Sequence, residues 1–356
     1  MKKILYDERI VFDKFNMRVK NIIILSLIGV CMYASCGCDD TGTSAGLMLR
    51  LVSSAKSAGI AGATTAVGSD INSLDFNCAA ISGINETTVA FSHTTYMFDI
   101  FYNDLKCAGK FQNSFGNWAV NMKYLTTNDT RRDACGLNEG EFRNSDFLLA
   151  AAYAREIHPI DAGIQLKYIY EKLDDSKAGA LAIDAGFLYS TYRLPFDIGL
   201  SLRNFGTDLY HGDLGETLPL ELRVGINRKF EYVSLSLDCA RYREGSFIYN
   251  AGMESCPVKN FVFRSGYSEM NGFAVGASFI ATAVRCHYSF SPMKYLSENV
   301  HRFSIELTID RLKNKKHSSR KMLKKKAAPA RNSNLNNQKS YGRDDIDDDI
   351  IVIESE

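Results

Sequence analysis

The chain has 356 residues, of which 46% are hydrophobic and 23% charged, and its net charge is +1. That length holds one large domain or two ordinary ones. The composition excludes a helical membrane protein, which needs apolar runs of about 18 residues or more, and gives the main body no basic excess for nucleic acid.

Residues 1–36 read as an extension plus a signal peptide. The run IIILSLIGVCMYA, from Ile22 to Ala34, is about 13 residues long, short for a span and suited to a signal core. Arg18 and Lys20 precede it, and Ala34, Ser35 and Cys36 are small enough for cleavage. Asp7, Glu8 and Asp13 suit a leader badly, so Met17 competes with Met1 as the start. Tyr33-Ala34-Ser35-Cys36 also has the outline of a lipobox with Tyr in place of Leu, which leaves lipid attachment at Cys36 open. A short anchor or a buried helix is the plainer alternative.

Residues 37–83 are rich in Ala, Gly and Ser and do not alternate. Leu47, Leu49 and Leu51 cluster, and Ile71, Leu74 and Phe76 recur at helical spacing. The segment reads as short helices packed inside a lumen, a hatch or plug.

From residue 84 to residue 312 the pattern changes to about fourteen short strands with one apolar and one polar edge. Phe303, Ile305, Leu307 and Ile309 oppose Arg302, Ser304, Glu306 and Thr308. Ile164, Leu166 and Tyr168 oppose Gln165 and Lys167 in the same way. NSDFLLAAAYARE is the weak case, with two similar faces. Strands of this length cross a bilayer at a tilt. Short turns such as RKFE and long polar loops such as TTNDTRRDACGLNEGEFR suit the two rims of a barrel. The expected fold is therefore all-β: a transmembrane antiparallel β-barrel with a small helical N-terminal hatch. The competing fold is a soluble β-sandwich that hides its apolar edges in a core of its own.

The 18 Tyr and 21 Phe against one Trp fit an interfacial aromatic belt, with Tyr124, Tyr168, Tyr170, Tyr189, Tyr192, Tyr232 and Tyr242 near strand ends; strand propensity explains them equally. Cys78, Cys107, Cys135, Cys239, Cys256 and Cys286 are widely spaced; export would permit pairing, but no C-x-x-C suggests zinc. The six His form no metal-ligand spacing, and no nucleophile has an oriented base, so neither an enzyme nor a cofactor or metal is expected. Residues 313–356 are basic, then acidic, and read as a solvated tail in the periplasm with room for cell-wall or lipid contact.

AGLMLRLVSSAKSAGIAGATTAVGSDINSLDFNCAAIS, followed by TTVAFSHTTYMFDIFY, resembles the opening of the PorV/PorQ-type outer-membrane proteins, relatives of FadL-like fatty-acid transporters. Asn77 and Ala79 match the Asn and Ala of that family's Asn-Pro-Ala-Gly motif; Cys78 replaces Pro and Ala80 replaces Gly. The resemblance implies a fourteen-stranded barrel with a hatch in the outer membrane of a diderm bacterium. It implies either uptake of hydrophobic small molecules such as long-chain fatty acids, or a non-transporting, secretion-associated scaffold. For the first role Leu47, Leu49, Leu51, Phe76 and Ile81 are the candidate ligand contacts; plain hatch-to-wall packing is the alternative for each.

Overall fold

A computed structural model describes residues 46–96, 100–112, 115–191, 194–243, 245, 247–292 and 299–311. The leader, Cys36 and the tail lie outside the described residues, as does Tyr192. The hatch contains 3-10 turns at Leu47–Arg50, Ile71–Asp75 and Cys78–Ile81, and one α-helical turn, α1, at Ala55–Gly59. The first strands are β1 (Thr88–Thr95), β2 (Phe101–Lys110), β3 (Asn117–Arg132) and β4 (Asn138–Ile157). Next come β5 (Ile160–Leu173), β6 (Ser176–Tyr189), β7 (Asp197–Gly206), β8 (Leu209–His211) and β9 (Leu214–Glu216). The last are β10 (Glu221–Lys229), β11 (Val233–Tyr242), β12 (Phe247–Val258), β13 (Phe261–Ser268), β14 (Gly272–Ile280), β15 (Val284–Pro292) and β16 (Asn299–Thr308).

β8 and β9 form a small separate hairpin; the other strands close into one antiparallel barrel in which β1 pairs with β16. That closed ring has 14 strands, and closure removes the edges that would otherwise seek partners. The rim where Thr88 meets Thr308 is called the near rim, and the opposite one the far rim.

The strands alternate in the sense opposite to a soluble protein. Ile164, Leu166 and Phe303 point outward and are 52%, 54% and 56% exposed. Gln165, Lys167, Lys106, Glu221 and Arg223 point inward and are buried. Leaving that many large apolar side chains in water loses the main driving force for folding. Lipid around the cylinder restores it, which excludes the sandwich and makes this a membrane-spanning barrel. No described helix is long and apolar enough to cross a membrane; the strands cross.

Two expectations need correction. The polar stretch 126–143 is not a loop: β3 and β4 stay paired from Thr126↔Ser145 out to Arg132↔Asn138. A ribbon needs only its ladder and a tight turn, and this one carries exposed polar side chains on both faces beyond the rim. Tyr242 does not join an outer belt; it faces inward, buried, with the Arg50 guanidinium 4.6 Å from its ring centre. Tyr124, Tyr168 and Tyr232 are exposed on the outside. No disulfide joins the described cysteines.

Leu166→Arg should lower the unfolding free energy in lipid vesicles by about 2–4 kcal/mol, the cost of a charge on the lipid face. Glu141→Arg, on the ribbon, should shift it by no more than about 0.5 kcal/mol. Urea unfolding in vesicles measures both.

Candidate functional site: the plugged lumen

The hatch occupies the barrel interior, with an apolar cluster toward each rim. Between them, carboxylates and backbone dipoles of the hatch meet charged side chains of the wall. Asp75 lies between Lys106 and Lys123, its oxygens 2.8 Å and 2.7 Å from their Nζ atoms. Ser53 Oγ donates to Asp75 at 3.0 Å and Asn121 Nδ2 at 3.2 Å. Burial works to raise the pKa of Asp75, but the two ammonium groups outweigh it and hold the carboxyl well below the usual carboxylate range. Lys106 also pairs with Asp104 at 2.5 Å.

Asp70 caps the turn Ile71–Asp75 by accepting from Asn72 N at 3.1 Å, and Lys56 Nζ stands 3.1 Å away. Burial again opposes ionisation, yet Lys56 and the Asn72 amide bring the carboxyl down to about 2. Asn72 Nδ2 reaches across to Glu306 on β16 at 3.2 Å.

A third tie runs through Thr65, whose N–H and hydroxyl both donate to Asp238 on β11, at 3.0 Å and 2.6 Å. Arg223 on β10 donates to Thr65 Oγ1 at 3.1 Å, to Gly62 O at 3.2 Å and to Glu221 at 2.7 Å. Arg203 on β7 also donates to Glu221. The Phe76 ring lies beside both cations, 4.8 Å from Arg223 and 5.5 Å from Arg203, where its negative face is favoured.

The motif residues seat the hatch on bare wall. Asn77 Oδ1 caps the turn Cys78–Ile81 by accepting from Ala79 N at 3.0 Å. Its Nδ2 donates to Thr65 O at 2.8 Å and to Phe187 O on β6 at 3.0 Å. Gly163 and Gly186 face each other on β5 and β6 at this height. A methyl group at Gly163 would stand 2.7 Å from Ala79 N, and one at Gly186 would collide with Asn77 Oδ1. The pair Gly199 and Gly225 repeats the arrangement under Thr65. Cys78, Ala79, Ala80 and Ile81 are fully buried there. The Cys78 thiol is pushed up to about 12, chiefly by burial, which makes it inert.

The layer at the far rim is mostly apolar, with Arg50, Arg203 and Arg302 at its margin. Met48 and Leu49 pack with Tyr96, Tyr102, Leu148, Ile169, Leu209, Leu218 and Val300, and Leu51 packs against that cluster. The hydrogen bonds here run from wall side chains to hatch carbonyls. Tyr102 OH donates to Met48 O at 3.3 Å, Tyr96 OH to Val52 O at 3.2 Å, and Arg302 Nε to Val52 O at 3.1 Å.

The five candidate ligand contacts therefore do not form one site. Leu49 and Leu51 belong to the far-rim cluster, and Leu47 lies on the same turn. Phe76 sits between the arginines at mid-lumen. Ile81 packs at the near rim with Ile71, Leu74 and Ile84. Tyr102, Leu148, Ile169 and Val300 complete the far-rim cluster and escape sequence reasoning: Tyr102, Ile169 and Val300 are single apolar residues on mostly polar inner edges, and Leu148 lies on a strand with two apolar edges.

One arrangement resembles a catalytic relay. Ser278 Oγ is 2.6 Å from His287 Nδ1, and His287 Nε2 is 3.6 Å from Glu306. Arg264 donates to the same Ser278 hydroxyl, and Gly59 of α1 packs on Gly276 and Arg264. The Ser278 hydroxyl is committed and buried, and α1 is tied to the same wall by Ala55 N, which donates to Ser304 Oγ at 2.9 Å.

No protein-family model matches the chain, and no curated protein matches it. Among solved structures it is similar to the CymD monoaromatic hydrocarbon channel at 12% identity. That match covers 72% of this chain and 97% of that chain with a TM-score of 0.53. A Pseudomonas aeruginosa FadL homologue matches at 9% identity over 72% of this chain and 98% of that chain, with a TM-score of 0.46. The likeness to CymD is one of fold.

Gly186→Val should expel Asn77 and undock the hatch. Limited proteolysis should then cut between residues 60 and 83 while the barrel keeps its heat-modifiable gel mobility. Asp70 adds a pH dependence. Its folded pKa of about 2 lies below the ordinary 3.8, so its contribution is complete above that value and disappears as pH falls through 2. The full contribution is about 2 kcal/mol. The denaturation midpoint should drop between pH 4 and pH 2, and Asp70→Asn should make that drop shallower.

Proposed function

We propose that this protein is an outer-membrane channel for uptake of hydrophobic small molecules, with the hatch as its gate. The observation that carries the reading is the apolar cluster at the far rim, where hatch residues Met48, Leu49 and Leu51 meet apolar wall residues. Those hatch side chains offer the wall apolar contact of the kind that an alkyl or aromatic solute also offers. A solute of that chemistry competes for Tyr102, Leu148, Ile169 and Val300 by the same burial of apolar area. The far-rim cluster and the charged layer then differ in the cost of release. The far-rim segment gives up hydrophobic contact and hydrogen bonds to carbonyls, whereas the charged layer gives up buried ion pairs, which cost about 3–5 kcal/mol to break one-sidedly. The segment Leu47–Val52 therefore moves first, and the charged layer sets the threshold for full opening. The fold likeness to a hydrocarbon channel agrees with this reading.

The ribbon of β3 and β4 favours a second reading, a scaffold or secretion-associated carrier of the PorV/PorQ type, because a polar arm beyond the rim offers a surface for a protein partner. Deletion of 128–142 separates the two: a scaffold loses partner capture, and a channel keeps uptake.

Leu148→Arg places a charge in the apolar mouth. Proteoliposomes with the native chain should take up oleate or toluene faster than protein-free vesicles, and Leu148→Arg should reduce that rate at least about tenfold. Native flux equal to that of empty vesicles contradicts the channel reading.

A further inference from the structure

The outer wall carries a groove of about 400 Å³ across β10 to β13, lined almost entirely by apolar surface. It exists because two small residues, Cys239 and Ala251, sit among large ones. Three cross-strand rows build it. Ile226, Leu237, Ala251 and Tyr267 form the row nearest the near rim; Val224, Cys239 and Tyr249 form the middle row; Leu222, Arg241 and Phe247 form the row toward the far rim. From Ile226 to Leu222 is about 13 Å of strand, close to the depth of one leaflet of a hydrocarbon core roughly 30 Å thick.

Arg241 stands at the interfacial end of this groove. Its guanidinium lies 5.2 Å from the Phe247 ring centre. Its Nη1 is buried with no hydrogen-bond partner, and no carboxylate pairs with it among the described residues. The wall arginines that face the lumen each have at least one side-chain partner, Glu221 for Arg203, Asp238 for Arg223 and Ser291 for Arg302, although Arg203 Nε is also buried without one. A buried unpaired N–H on a cation is costly, and an anionic oxygen removes that cost. The occupant comes from the bilayer and not from the lumen. β10 pairs with β11 from Glu221 to Lys229, and β11 with β12 from Val233 to Arg241, without a break.

We infer that this groove is a binding site for one anionic membrane lipid. An acyl chain lies along Val224, Cys239 and Ala251, and the headgroup phosphate is held by Arg241. The site is independent of the uptake reading, since it needs neither hatch movement nor an open lumen.

The test is native mass spectrometry of the full chain in a neutral detergent, titrated separately with dimyristoylphosphatidylglycerol and dimyristoylphosphatidylcholine. The native chain should retain one phosphatidylglycerol about tenfold more strongly than phosphatidylcholine, the size of one charge-assisted contact. Arg241→Gln should abolish the preference. Ala251→Phe, which fills the groove and keeps the charge, should lower retention of both lipids. Arg228→Gln, an outward arginine near the other rim, should change neither. Heat-modifiable mobility confirms that each variant is folded. Equal retention of the two lipids by the native chain overturns the site, as does an Arg228→Gln loss equal to that of Arg241→Gln; Arg241 is then a snorkelling cation only.

Discussion

The inner wall of this barrel carries more charge than it can satisfy alone, and the hatch supplies the remaining partners. Some wall cations are paired by neighbouring strands, as Lys167 is by Asp184 at 2.5 Å. Lys123 depends on Asp75, and Arg223 divides its donors between wall carboxylates and the hatch at Thr65 and Gly62. Removing a charge from water costs several kcal/mol unless a counter-charge or dipole replaces the solvent. The hatch is thus part of the electrostatic structure of the barrel. The outer face has the opposite requirement: its apolar side chains are satisfied only by acyl chains.

Much of the wall was legible because alternation with period two survives wherever one face meets lipid and the other a polar interior. β5 and β15 coincide with the runs IDAGIQLKYIYEKL and VRCHYSFSP. The signal weakened where the interior is not polar. On β4 the inward residues Ala150, Ala152 and Ala154 are buried against apolar hatch and wall residues, so both edges of that strand are apolar and its faces cannot be told apart. The ribbon beyond the rim was hidden for the converse reason: with water on both sides, nothing imposes alternation on residues 128–142. Tyr242 was misplaced because position near a strand end does not reveal direction, and here the partner is Arg50 from the hatch.

The hatch was legible as a small-residue segment but not as a docked one. Asn77 and Ala79 stood out through a resemblance, and their work became visible only beside Gly163 and Gly186. Those glycines lie on strands far along the chain, and in sequence they are ordinary breaks in a pattern. Paired on the inner wall, they are the surface on which hatch backbone rests. The candidate ligand contacts scattered for a related reason. A hydrophobic residue in a plug packs wherever its own segment is held, so Leu49, Phe76 and Ile81 report three depths of the lumen. The character of the plug, charged at mid-lumen with an apolar cluster toward each rim, follows from those depths.

Brominated lipids test the central claim, apolar side chains outward and hatch enclosed, most directly. In a Trp118→Phe background, which removes the only native Trp, single tryptophans are placed by Leu166→Trp on the outer wall and by Phe76→Trp in the hatch. Fluorescence should be strongly quenched by brominated acyl chains at position 166 and unaffected at position 76. An unquenched signal at 166, or quenching at 76 equal to that at 166, contradicts the account.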